Sequence, residues 1–400
     1  PPSWGASAQI TVGSRFRDHV VAAIKERSDP EIVQLCQHTG WTQFNDELLY
    51  LTDSGGIGLE GLNPDASCEL QGPLADFNLP EPVDPRTLDL EAVLEAFRDL
   101  QKDGTALVLL GAAMRAALCH FQPATCSVYL QGTTGTFKSA AAGVLQGFWG
   151  PKFDGASLPA NWSSTANALE KTAFLAKDCL LVVDDFVARG TRQEVAYTHR
   201  NAERLLRAQG NQSGRSRMTA KAEIRNAFYP RGIVMCTGED VPNGHSLQAR
   251  LVIVNVARGA IDTSVLSQLQ KLARSGHLAT IMASFVQWLA AEAKANKLTE
   301  SIDMALECDH ENIGSGGHAR TQDNLANLLT GLRVFLDFAE DAGEMSSSKV
   351  QEFMDSATDA ARSLAAMQAS IDQEASDAQR FIEYIRVAVS SGKAHIESKF

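Results

Sequence analysis

The sequence predicts an α/β protein: a parallel-sheet core with a phosphate-binding loop, a small β-rich module before it and an α-helical region after it. Four short apolar runs, "CSVYL" (126–130), "CLLVV" (179–183), "GIVMC" (232–236) and "LVIVNV" (251–256), are separated by helical or polar segments. Short apolar runs bounded by turns are the signature of buried parallel strands. The first run leads into "QGTTGTFKS" (131–139), close to the G-x-x-x-x-G-K-[ST] phosphate-loop pattern. The second ends in two acids, Asp184 and Asp185. We therefore expect three regions: a β-rich module over 1–80, the core over 81–258 and a helical domain over 259–400.

In the first region "GWTQF", "ELLYLTDSGGIG", "GLEGL" and "CELQGPL" suggest short strands, with a turn at Gly55-Gly56. "LPEPVDP" (79–85) reads as a stiff proline linker. Asp84-Pro85 then starts a helix whose apolar positions Leu90, Val93, Leu94 and Phe97 repeat at helical spacing. The longest apolar run, "ALVLLGAAMRAAL" (106–118), contains Arg115 and falls short of the ~20 residues a membrane span needs. It is expected as a buried helix. Ser348-x-x-Gln351 is a candidate capping box for a late helix.

The 400 residues carry a net charge of −12, which excludes a general polyanion-coating protein but not a local basic patch. No two of the seven cysteines have C-x-x-C spacing, and Cys126, Cys179 and Cys236 lie in or beside the strand-like runs. They read as buried, reduced thiols rather than a zinc site. With no membrane span or secretory signal visible, a cytoplasmic location is expected. The chain opens on Pro1-Pro2 and stops at "HIESKF" without a closing signal, so it reads as a piece of a longer protein.

The loop follows a predicted strand and opens a predicted helix over 138–148, the context the motif requires. Backbone N–H groups over Gly132, Thr133, Thr134, Gly135, Thr136 and Phe137 would cradle phosphates at the positive end of that helix. Lys138 would reach the β/γ-phosphates and Ser139 would hold Mg²⁺. Phe137 replaces the usual glycine. If that position needs positive φ, the replacement costs about 1 kcal/mol. At the end of the second run, Asp184 suits water-mediated Mg²⁺ binding, and Asp185 suits orienting or deprotonating a water. Thr237 ends the third run, between the two motifs. Arg250 precedes the fourth run and suits an arginine finger directed at a neighbouring subunit.

Residues 200–225 hold seven basic and two acidic side chains, a local +5. Within them "AQGNQSGRSR" reads as a flexible turn. Arg215, Arg217 and Lys221 could there grip nucleic-acid phosphates without reading sequence. Arg204 and Arg207 are better suited to structural or subunit contacts.

Four blocks occur in order: "QGTTGTFKS", "LPANWSSTANALEKTAFLAKDCLLVVDDF", "HRNAERLLRAQGNQSGRSRM" and "PRGIVMCTGEDVPNGHSLQARLVIVNV". Together they resemble the ATPases of plasmid, phage and integrative-element primase-helicases, similar in layout to superfamily 3 and MCM-type AAA+ helicases. "GW" at 40–41 and "GGIGLEGL" at 55–62 resemble that family's β-rich N-terminal module. The resemblance spans roughly 8–340.

It implies a P-loop AAA+-like core, ATP along Gly132–Ser139, and Mg²⁺ at Ser139 and Asp184. It also implies Asp185 where many such motors have Glu, Thr237 as sensor and Arg250 as finger. Arg320 would be a second sensor on a helical lid. Arg215, Arg217 and Lys221 would sit on a pore hairpin. The implied assembly is a homo-oligomeric ring, six subunits being expected, that translocates on single-stranded DNA. A primase module is expected in the full-length chain. An ATPase switch, for instance in defence, whose basic loop binds a protein partner, is the competing reading.

Overall fold

The computed structural model describes residues 16–27, 36–66, 68–214, 217–218, 224–225, 227–314 and 319–391. Helix α1 (Phe16–Arg27) belongs to a first unit, residues 1–35; a second compact unit spans 36–400.

The second unit opens with an antiparallel meander, β1 (Gly40–Phe44), β2 (Glu47–Thr52), β3 (Gly55–Gly58) and β4 (Gly61–Asn63), paired in sequence order. Asn45 and Asp46 both take positive φ, as the tight turn between β1 and β2 demands. Two aromatic side chains tie this sheet to the core. Trp41 donates Nε1–H to the Ala117 carbonyl at 2.8 Å, and Tyr50 donates its hydroxyl to the Asp178 carbonyl at 2.7 Å. Both rings are buried and meet edge-to-face at 5.2 Å, so four short strands find on the core the apolar cover they cannot give themselves. Asp178 accepts from the Trp41 N–H at 2.9 Å and pairs with Lys177 at 2.6 Å. Burial pushes its carboxyl up to about 6.

Two sequence expectations change here. "CELQGPL" does not form a strand: Cys68 makes one isolated bridge to Cys36, and Gly72–Asp76 form a 3-10 turn. Gly72 takes φ +61 and Pro73 has no N–H to donate, both poor strand properties. The proline segment is not a free linker either. Leu79 is buried, and Val83 exchanges hydrogen bonds with the Ser284 hydroxyl at 3.1 and 3.0 Å.

The next helix, α2 (Leu90–Leu100), buries Leu90, Val93, Leu94 and Phe97 as their spacing predicts. It starts after a 3-10 turn over Pro85–Thr87. All thirteen residues of α3 (Thr105–Ala117) are buried. Arg115 is among them, donating Nη2–H to the Gln122 carbonyl and side chain at 2.9 and 3.0 Å.

Five parallel strands form the central sheet: β5 (Ser127–Gln131), β6 (Ala160–Asn161), β7 (Leu180–Phe186), β10 (Ile233–Gly238) and β11 (Leu251–Asn255), in the order β11-β5-β10-β7-β6. Four are the apolar runs; β6 is too short to leave a pattern. Helices α4 (Lys138–Gln146), α5 (Ala166–Leu175) and α6 (Arg192–Asn211) lie between them in sequence. Thr191 and Glu194 form a reciprocal capping box at the start of α6. A two-stranded hairpin, β8 (Arg217–Met218) with β9 (Ile224–Arg225), and the short α7 (His245–Gln248) complete the core.

Beyond the sheet the described chain is helical: α8 (Thr263–Arg274), α9 (His277–Lys294), α10 (Leu298–Ile313), α11 (Ala319–Asp341) and α12 (Ser347–Ser390). Helix α9 carries the Ser284 that holds Val83. A Cβ at Gly111 would lie 2.2 Å from the Leu328 carbonyl, and one at Gly331 2.2 Å from the Gly111 carbonyl. Helices α3 and α11 therefore cross backbone to backbone. The capping box expected at Ser348 and Gln351 is absent. Helix α12 starts earlier, with Ser346 at its N-cap and no side-chain cap bond, and Gln351 bonds Asp355 at 2.7 Å. No helix among the described residues is long and apolar enough to cross a membrane.

Candidate functional site at the carboxyl ends of the sheet

Strand β5 runs into the loop 132–137, and α4 leaves it. Gly132 donates its N–H to the Gly238 carbonyl at 3.0 Å. A Cβ there would meet Thr136 Oγ1 at 2.6 Å and the Val256 carbonyl at 2.7 Å, so only glycine fits. Gly135 takes φ +85 and faces open space. Phe137 also takes a left-handed conformation, φ 65 and ψ 16, immediately before Lys138. This is the position the motif reserves for glycine, and about 1 kcal/mol of strain follows. The Phe137 ring remains 48% exposed. The loop therefore keeps its shape and carries the strain within it.

The first N–H groups of α4 have no partner within their own helix and face the loop mouth with the positive end of the helix dipole. Next in line, Ser139 donates Oγ–H to Asp184 Oδ1 at 2.8 Å. Thr237 donates its hydroxyl to the same oxygen, and accepts from the Asp185 N–H at 3.1 Å. The sheet order explains the convergence: β10 lies between β5 and β7, so its tip separates the loop from the acids. The register of β7 against β10 shifts between Cys236 and Gly238, and Asp185 has φ 64. This bulge re-aims the paired acids, which strict alternation would send to opposite faces. The resulting donor set, a hydroxyl beside a carboxylate at the mouth of a phosphate-shaped loop, is all oxygen and suits a magnesium ion that keeps most of its water.

Sequence reading missed Glu239. It follows Gly238 at the end of β10 and accepts from the Thr134 N–H at 3.0 Å and from the Thr134 hydroxyl. Arg189 pairs with its other oxygen. The Thr134 bonds hold its carboxyl below the usual range, helped by the charges of Arg189 and Lys138. The acid is visible in "CTGED", but its partner lies 105 residues earlier, so no local pattern links them.

Arg250 and Arg320 lie elsewhere. Arg250 precedes β11, whose first residue pairs with Ser127, the first residue of β5. The loop leaves the other end of β5, five residues on, or about 16 Å at ~3.3 Å per residue. Arg250 is 9% exposed. It donates Nη1–H to the Ser246 hydroxyl and Nη2–H to Asn211 Oδ1, both at 2.9 Å. Burial lowers its pKa, and the charges of Arg320 and Arg207 lower it further. Arg320 donates to the Gly210 carbonyl at 3.4 Å, and Gly210 in turn abuts the Arg250 side chain. Arg320 therefore lies beside Arg250, and Asn324, one turn on, bonds the Ala249 carbonyl at 3.0 Å and anchors α11 at the start of β11.

In the basic segment, Arg217 opens β8 and pairs in register with Arg225 of β9, while the first four residues of the expected flexible turn, 208–211, are the last of α6. Arg215 and Lys221 lie outside the described residues. Arg204 makes two bonds to Glu170, at 3.0 and 2.6 Å, and Arg207 pairs with Glu203 at 2.8 Å.

Residues 98–227 match a family described as a domain of unknown function (DUF927). No curated protein matches the sequence. Among solved structures the chain is similar to SCCmec type IV Cch, an active helicase, with a TM-score of 0.60 and 15% identity, over 97% of this chain and 71% of that one. Over nearly its whole length the chain has a helicase-like fold.

Proposed function

We propose that the protein is the ATP-dependent DNA helicase motor of a mobile-element replication protein, built on an AAA+-like P-loop core. The observation that carries this reading is the convergence of Ser139, Asp184, Asp185 and Thr237 behind a phosphate-shaped loop. The helicase-like fold supports it.

In this reading the loop amides and the end of α4 bind the phosphates of ATP. Lys138 neutralises charge on the β/γ-phosphates, and Ser139 with Asp184 holds Mg²⁺. Thr237 fixes Asp184 through its hydroxyl and holds the Asp185 backbone, leaving the exposed Asp185 carboxylate to orient a water and take its proton. Subunits assemble as a ring, a hexamer in our reading. Arg250 of one subunit, with Arg320 beside it, serves the nucleotide of the next. Arg215, Arg217 and Lys221 track single-stranded DNA through the pore. Measuring ATP turnover with and without single-stranded DNA tests the whole. Turnover that DNA leaves unchanged would remove the motor reading and leave a bare ATPase.

Two further results are expected. Phe137→Gly retains nucleotide binding and relieves about 1 kcal/mol of left-handed strain, read by nucleotide titration and thermal midpoint. Lost binding would make the phenyl ring part of the site. Neutralising Arg215, Arg217 and Lys221 together weakens single-strand binding across sequences and flattens its salt dependence by up to about one slope unit per lost contact. An unchanged slope would take these residues off the DNA path.

A further inference from the structure

We propose that Glu239 is a specificity-determining residue that separates nucleoside triphosphates from diphosphates at the loop; this rests on the nucleotide reading above. Its carboxylate accepts from the Thr134 N–H at 3.0 Å and from the Thr134 hydroxyl, and so sits where the loop offers its own donors to a phosphate oxygen. Two observations locate it at the outer end of the phosphate path. Thr134 lies in the first half of the loop, away from the α4 terminus that takes the inner phosphates. Glu239 also lies close enough to feel the charge of Lys138, whose amine serves the outer phosphates.

A terminal phosphate arriving there meets a carboxylate of its own sign. It must displace Glu239 from Thr134 before it can take that amide. A diphosphate ends short of Thr134 and leaves the contact intact. The displaced carboxylate keeps a second holder, since Arg189, 74% exposed beyond the end of β7, pairs with its other oxygen. Removing the negative charge should therefore favour the triphosphate selectively.

Equilibrium titration of a non-hydrolysable ATP analogue and of ADP tests this in wild type, Glu239→Gln and Glu239→Ala, with thermal midpoints to confirm folding. Both variants are expected to bind the analogue about fivefold or more tighter, the lower end for loss of one solvent-exposed charge-assisted contact. ADP affinity should stay within about twofold, the scatter of a surface substitution. A general structural effect would move both ligands together, and that result overturns the proposal. So does weaker analogue binding, which would make Glu239 a ligand rather than a competitor. Wild-type binding that depends on Lys138, with selectivity unmoved by either variant, sinks the Glu239 role alone. If no variant binds either nucleotide, the nucleotide reading falls and takes this role with it.

Discussion

Lys138→Ala is expected to reduce ATP turnover to background, a loss of at least about a hundredfold for removing a positive charge aimed at the transferring phosphoryl group. Arg189 is engaged by Glu239, and Arg250 and Arg320 sit at the far end of the strands. The fold should survive, because Lys138 is a partly exposed residue in the first turn of α4. Phosphate release from the purified wild-type protein, with DNA present, is the measurement. Wild-type turnover no higher than that of the variant would remove the catalytic assignment.

The second large effect is expected at Arg250. At the opposite end of β5 from the loop, it can act on nucleotide only if a neighbouring chain brings a γ-phosphate to it. A trans-acting arginine contributes about a thousandfold or more to phosphoryl transfer in the best-studied cases, so Arg250→Ala should keep ATP binding and lose nearly all turnover. The side chain also bonds Ser246 and Asn211, so the thermal midpoint must be followed alongside. Mixing Arg250→Ala with Lys138→Ala separates catalysis from folding. Each alone is nearly inactive, yet in mixed rings an intact Arg250 can face an intact Lys138, and turnover should partly return. If subunits exchange and turnover stays at background, the trans role of Arg250 is refuted. A fully active monomer would refute the shared site as well.

The sheet was legible because buried parallel strands have no solvent face to interrupt their apolar runs, so β5, β7, β10 and β11 stand out. Helix α2 was legible through its repeat, and α3 through an apolar run that leaves no polar face. The two-residue β6 and the capping box of Thr191 and Glu194 were overlooked, and Ser348 with Gln351 copied a cap pattern that the earlier helix start made irrelevant. The proline segment looked like a linker because prolines stiffen the chain and fit neither a helix interior nor a central strand, but it lies pinned to α9 through one serine 201 residues away.

Within the candidate site, the residue types and spacings were determined by the sequence: a loop with one glycine missing, two acids at a strand end, a threonine at the next. Only the tertiary structure decided which of them touch. Strand order inserts β10 between β5 and β7, and this brings Thr237 onto Asp184 and Glu239 onto Thr134. Helix packing carries Arg320 to Arg250. Strand identity is written in a few adjacent side chains, whereas strand order and helix docking come from burying apolar faces contributed by segments a hundred residues apart, which no local window of sequence contains.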